Sequence, residues 1–229
     1  MQSNSLDSRA IGYTDTYGQR FMREGSFRYG VAAAPGAILL SDFPFVVEVA
    51  DGDAERMTQH TVELTYTDKG FHPDSESVRI EAGDLVTWVC RDASTPPFEV
   101  VGVQDFFRSS RLVNESGYAH AFGTPGDYEW VDVYGSGIGG VVHVRQPEIA
   151  DRESLAAWQK QLATGSIVMI GAERAEPAKI EIVTGQTVYF AVTKGPGISI
   201  TDRRIAEVTG DVFANRHSRP GPGTRAAAD

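Results

Sequence analysis

The chain carries one cysteine, Cys90, and five histidines, His60, His72, His120, His143 and His217. A thiolate with two imidazoles is the donor set for a redox-active transition metal, and closely spaced Cys and His pairs make zinc sites. The spacings here fit neither pattern, because the histidines are scattered along the chain. Cys90 follows the apolar run Val86–Val89 and reads as a small buried hydrophobe. His120 and His143 lie on strand-like segments that folding could bring together, so a structural metal stands open beside the reading of two hydrogen-bonded imidazoles. Asp132 follows Tyr128 and Trp130 at alternate positions, which points it inward on a strand. There it reads as a carboxylate accepting backbone N–H bonds from the glycine-rich loop beyond it. That loop, Gly135–Gly140 (GSGIGG), precedes another strand-like segment rather than a helix, so it is not a phosphate cradle. No nucleophile elbow or triad-like arrangement is visible, and the expectation is a protein without enzymatic activity.

The elements that must position these residues are strands. With 24 Gly, 11 Pro and 41% hydrophobic residues, the chain suits many short strands joined by tight turns. It also repeats itself. Val78–Trp88 (VRIEAGDLVTW) matches Ile180–Phe190 (IEIVTGQTVYF), each reading as strand, glycine turn, strand. Phe122–Trp130 (FGTPGDYEW) matches Phe21–Tyr29 (FMREGSFRY), and Val141–Val144 has a counterpart in Phe45–Val49. One continuous domain is expected at 60–146, with a second, split domain assembled from 12–50 and 165–215. The two pieces of the split domain would meet within one chain, or between two chains in a swapped dimer. Between the units, 151–164 reads as a connecting helix, capped by Asp151 and striped by Leu155, Trp158 and Leu162. Residues 1–11 and 216–229 read as flexible tails.

The order VRIEAGDLVTWV (78–89), FGTPGDYEWVDV (122–133), GGVVHV (139–144) resembles the small blue-copper, or cupredoxin, domains of the plastocyanin and halocyanin type. The resemblance implies an all-β fold of two cupredoxin-like Greek-key sandwiches. It also implies where copper ligands would fall. Phe98 stands near the first His, Asp132 at the Cys, Gly135 near the second His and Ile138 at the Met. The segment Glu24–Val49 is similar to the C-terminal part of cytochrome oxidase subunit II, which holds a dinuclear copper centre. Its paired Cys would fall near Val31 and Pro35, its His near Leu40, its Met near Phe43 and its other His near Ser199. None of these positions keeps a thiolate, imidazole or thioether.

The expectation is therefore a cupredoxin-like scaffold or accessory subunit that has lost its copper and uses no cofactor. Its alternative is an electron-transfer or copper-binding protein with non-standard ligands. A protein partner or a homo-oligomer is expected, with Phe106, Phe107 and Tyr134 as the aromatic candidates for the interface. The net charge of −10 argues against general affinity for nucleic acid or anionic membrane. Seventeen Arg against four Lys, with the acidic balance, hint at a salt-adapted source. Met1–Tyr13 is polar and no apolar run nears the ~18 residues that span a bilayer, so a cytoplasmic location without membrane insertion is expected.

Overall fold

The computed structural model describes residues 5–34, 42–53 and 55–209. The chain is β-rich. Eight strands come from its first part: β1 (Asp15–Arg20), β2 (Gly25–Ala33), β3 (Phe45–Ala50), β4 (Gln59–Thr67), β5 (Gly70–Pro73), β6 (Ser77–Glu81), β7 (Leu85–Val89) and β8 (Phe98–Gly102). The second part repeats the set: β9 (Ser116–Ala121), β10 (Gly126–Val131), β11 (Gly139–Arg145), α1 (Arg152–Leu162), β12 (Ser166–Ile170), β13 (Ala175–Glu176), β14 (Lys179–Val183), β15 (Thr187–Val192) and β16 (Thr201–Asp202). Among the described residues the strands form three sheets. An eight-stranded sheet runs β13-β12-β15-β9-β1-β7-β4-β5, and two four-stranded sheets run β6-β3-β2-β8 and β14-β11-β10-β16.

The two halves have the same strand order. In the first, β3 pairs in parallel with β6 and β1 pairs antiparallel with β7. In the second, β11 pairs in parallel with β14 and β9 pairs antiparallel with β15. This corrects the split arrangement. Residues 12–50 complete their sheets with 59–102, and 166–202 complete those of 116–145, so the repeats close in chain order. The physical reason is that each half supplies partners for its own strand after the glycine turn: β7 pairs with β1 and β4, and β15 with β9 and β12, so neither half needs the other's pieces to fill those positions. The halves join where β1 lies antiparallel to β9, with Tyr17 opposite Tyr118. The shift that carries Tyr17 onto Tyr118 also carries Ile11 onto Leu112, Phe21 onto Phe122 and Gly25 onto Gly126.

Period-2 alternation explains the core. On β7, Val86 and Trp88 face inward, and on β15 Val188 and Phe190 do; all are sealed from solvent. Trp88 stacks on Tyr17 and Phe107 and meets the edge of Tyr29, with centroids 5.4, 5.7 and 5.4 Å apart. In the second half Phe190 meets Trp130 edge-on at 5.5 Å and stacks with Tyr118 at 6.2 Å. The indole has changed sheets between the halves. Trp88 against Tyr29 becomes Phe190 against Trp130, a compensating exchange that keeps core volume.

Two crossing straps tie the halves together. Residues 5–12 begin on the second half, where the Ser8 amide donates to the Ile200 carbonyl (2.9 Å), and end on the first, where Ile11 and Phe98 exchange two bonds of 2.9 Å. The segment 107–114 crosses the other way. The Ser109 amide donates to the Val100 carbonyl (3.0 Å), and the Leu112 amide donates to the Ile198 carbonyl (2.7 Å). Leu6, Ile11 and Leu112 are fully buried. Residues 5–10 are thus a buried strap and not the flexible tail expected of 1–11, because Leu6 and Ile11 supply the apolar anchors. Residues 216–229 lie outside the described residues. α1 packs on the second half. The Trp158 indole donates to the Thr184 carbonyl (3.1 Å), and Gln186 donates to the Gln161 and Thr164 carbonyls (2.8 Å each). Asp151 caps it in a reciprocal box with Ser154.

The two glycine turns show how the repeat holds its shape. Gly83 and Gly185 have φ of 104° and 93°, a region open to glycine. The next residue braces the turn in both halves. Asp84 accepts from the Thr58 and Glu81 amides (2.8 and 3.0 Å), and the Gln186 side-chain Oε1 accepts from the Val183 amide (2.8 Å). Burial works against ionisation of Asp84, yet the Glu81 and Thr58 amides and the His60 imidazole outweigh it and hold its pKa below the usual carboxylate value of 3.8. A carboxyl depressed in the fold stabilises it above its unfolded pKa, and that contribution is lost as pH falls through the folded value. Asp84→Asn is therefore expected to lower unfolding free energy by about 1 kcal/mol at pH 7. Urea titrations across pH 2–7 should show the difference from wild type constant above about pH 5 and shrinking below pH 4.

Candidate functional site

The loop between β10 and β11 is organised by Asp132. Its amide donates to the Ile138 carbonyl (3.0 Å), closing the loop. One carboxylate oxygen accepts from the Tyr134 and Ser199 amides (3.1 and 2.8 Å), and the other accepts from the Ser136 amide (2.9 Å). The Ser199 hydroxyl oxygen accepts from the Val133 amide (3.0 Å). Ser199 is fully buried and Ile138 nearly so, and Gly135 sits in the turn with no side chain to offer. An inward carboxylate taken up by three backbone amides matches the physics of a loop brace.

Phe98 lies elsewhere. It opens β8 opposite Ala33, bridges to Ile11, and is fully buried 5.9 Å from the Phe71 ring. Val31, half-buried on β2, pairs with Val100 on the same strand as Phe98. Phe43 is half-buried, and its carbonyl accepts from the Arg28 guanidinium (3.0 Å). Pro35 and Leu40 lie outside the described residues. The structure therefore regroups the positions that sequence reading assigned. Ser199 joins Asp132 and Ile138, and Phe98 joins Val31. The regrouping follows from the in-order closure of the halves.

The three aromatic candidates differ from one another. Phe107 is 1% exposed and packs edge-on against Phe21 at 5.4 Å as well as on Trp88. It is a core residue, not an interface residue, because the strap that carries it turns its ring beneath β2. Tyr134 is half-buried; its hydroxyl donates to the Ser110 carbonyl (2.9 Å) and the Arg111 guanidinium lies 5.4 Å from its ring. Burial pushes its pKa up. It fastens the Asp132 loop to the second strap. Phe106 is 42% exposed, stacked on Phe27 at 4.9 Å with the Arg23 guanidinium 5.0 Å above it. It follows Gln104 and Asp105, both with positive φ (57° and 54°).

Cys90 is buried, and its thiol donates to the Asp92 carbonyl (3.3 Å). His143 is half-buried and pairs with Asp127 (2.7 Å) on β10. His120 is fully buried and pairs with Asp15 (2.6 Å) across the β9–β1 seam. The two imidazoles belong to different sheets and answer to different carboxylates. Among the described residues no group of three or more His, Cys, Asp and Glu is placed to hold a metal ion.

Sequence reading missed the buried polar cluster at the seam. Asp15 accepts from the Tyr118 hydroxyl (2.7 Å), from His120 Nδ1 and from the Gly12 amide (2.8 Å). With Tyr118 donating, Nδ1 of His120 carries the proton it gives to Asp15. Nε2 has no hydrogen-bond partner and its ring meets Phe122 edge-on at 4.6 Å. A carboxylate–imidazole pair is the usual build of a general base, but this one is sealed in the core and acts as a fastener. Two further buried ion pairs, Arg9 with Asp7 and Arg108 with Glu99, anchor the straps. The signal was available: Asp15, Tyr17 and Gln19 alternate as one face of β1, and that face is buried.

No protein-family model, curated protein or solved structure matches this chain. The aromatic assignments separate in an unfolding experiment. Phe107→Ala should cost about 3–5 kcal/mol of stability. Phe106→Ala, with much of its surface already in water, should cost about 1 kcal/mol or less by the same area scale.

Proposed function

We propose that this chain is a non-redox structural or interaction protein, a scaffold or accessory subunit built from two cupredoxin-like Greek-key sandwiches that have lost their copper sites. One observation carries the reading. The positions where soft ligands would fall hold Phe98 and Val31 in one half and Asp132, Ser199 and Ile138 in the other, and each has a packing or hydrogen-bonding duty of its own. Phe98 offers no donor atom and is sealed in the core against Phe71. The Asp132 oxygens are committed to backbone amides, and a lone hard oxygen donor does not hold copper against competing sites. Of the three aromatic candidates, Phe106 with Arg23 above it is the one exposed for a protein partner.

Metal analysis and an absorption spectrum, taken on natively purified protein and again after challenge with Cu(II), test this reading. The expected result is no stoichiometric copper and no intense visible charge-transfer band. Tightly bound copper near one per chain would overturn it in favour of an electron-transfer or copper-handling protein. Cys90, His120 and His143 would then be the first residues to substitute.

A further inference from the structure

The two halves differ at one corner. The first passes from β3 to β4 through residues 51–58, and the second passes from β11 to β12 through 146–165, which carry α1. An insertion in one copy of a repeat often forms a binding face. α1 fits that description, since none of its residues is buried and its stripe of Leu155, Trp158 and Leu162 is only half-buried. Its C-terminal half is fixed to the second half of the chain. Leu162 sits on the Gly185 turn, where a Cβ would come within 2.9 Å of it, and Trp158 and Gln161 are held by their bonds to Thr184 and Gln186. Between the helix and β14 an open groove of about 940 Å³ remains.

One wall of the groove is a sheet edge. β14 ends its sheet, and Glu181, Ile182 and Val183 line the groove consecutively, so the groove meets the strand along its edge and not only across one face. The Val141 amide donates to the Ala178 carbonyl (2.8 Å), and the Thr184 amide donates to the Arg145 carbonyl (2.9 Å). Residues 178, 180, 182 and 184 therefore turn their backbone groups to β11, and 179, 181 and 183 turn theirs outward. Val183 is satisfied by Gln186, whose Oε1 accepts from its amide and whose own amide donates to its carbonyl. The outward amides and carbonyls of Lys179 and Glu181 have no protein partner among the described residues. Such a row of donors and acceptors is what an added strand takes up. The facing wall supplies an apolar patch, Ala157 and Trp158. The charges of the lining cancel, Arg145 and Lys160 against Glu148 and Glu181, and Arg145 is paired with Glu181. An anion or a cation gains little from such a lining, and an uncharged segment suits it. β6 holds the same edge position in the first half, but there 51–58 forms no helix among the described residues, so the edge has no facing wall.

We propose that this groove takes an uncharged, extended peptide segment of a partner protein, which pairs with β14 as an added strand and sets an apolar side chain against Ala157 and Trp158. The site deepens the interaction role proposed above and rests on it. Its test does not involve copper, so the two fail separately.

Selection of phage-displayed random linear peptides on the immobilised full chain tests it, with the selected peptides then synthesised and their affinities measured by fluorescence anisotropy. Uncharged peptides should be enriched over an unrelated immobilised protein. Ala157→Arg, which fills the groove, should weaken them by about tenfold or more. Glu181→Pro removes an outward amide that takes no part in the β14–β11 ladder, and it should also weaken them by about tenfold. Glu181→Ala keeps that amide and should leave binding unchanged. Circular dichroism and melting of all three variants should match wild type. If Glu181→Pro unfolds, N-methylation along the peptide gives the same reading: loss of binding at alternate positions supports strand addition, and indifference at every position overturns it. An absence of enrichment overturns the inference. So do peptides that ignore Ala157→Arg, which would place them on another surface, and peptides that respond to Ala157→Arg but ignore a folded Glu181→Pro. A dimer in sedimentation velocity that Ala157→Arg splits would put a second copy in the groove and would overturn it too.

Discussion

The antiparallel pairing of β1 with β9 is the constraint on which the rest of the structure depends. It turns two half-sheets into one, and it puts an acid from one half against an imidazole and a phenol from the other. Asp15 accepts from three protein donors there. A buried carboxylate is costly unless its partners are all in place, so the seam tolerates one register and penalises neighbouring ones. A one-residue slip would bury Thr16 in place of Tyr17 and would strand Asp15 on the wrong face. The seam thus fixes the relative position of the halves more strictly than apolar contact alone could.

Much of the fold was legible in the sequence. Glycine turns flanked by period-2 runs marked the β6–β7 and β14–β15 corners, where the chain passes from a four-stranded sheet to the eight-stranded one, and their likeness to each other exposed the repeat. What the sequence did not convey was which strands closed on which. Val78–Trp88 and Phe122–Trp130 look like consecutive parts of one domain because they are consecutive in the chain. Closure depends on β3 finding β6 and β11 finding β14, and parallel pairings leave no turn signature between their partners. Residues 5–10 misled for a related reason: a polar stretch holding Asp7, Ser8 and Arg9 reads as solvated. Its burial rests on a salt bridge and on Ile200, nearly the whole chain away.

The site was legible by residue type and not by grouping. Asp132 was identified as an inward loop brace from its alternation with Tyr128 and Trp130, and its three amide partners are of the kind expected. Ser199 could not be joined to it without the pairing of β10 with β16, which is only two residues long. Phe107 and Phe106 are adjacent and of one type, so sequence could not say that one ring is in the core and its neighbour at the surface. The two successive positive-φ residues before them decide it, since they turn the chain as the strap begins.

The crossing straps have a consequence for how the chain is made. Leu6 and Ser8 are made long before the residues they bind: Ser8 exchanges bonds with the amide and carbonyl of Ile200, 192 positions on, and the Leu6 carbonyl accepts from the Asp202 amide (2.8 Å). The first half can assemble most of its sheets, and seat Ile11 on Phe98, while synthesis continues, but Leu6 and Ser8 stay without their partners until Ile200 and Asp202 are made. Such contacts carry a large loop-closure cost and form late. Until then the apolar anchor Leu6 and the β10 edge that β16 covers are surfaces open to wrong pairing, and the docking of β16 closes both at once.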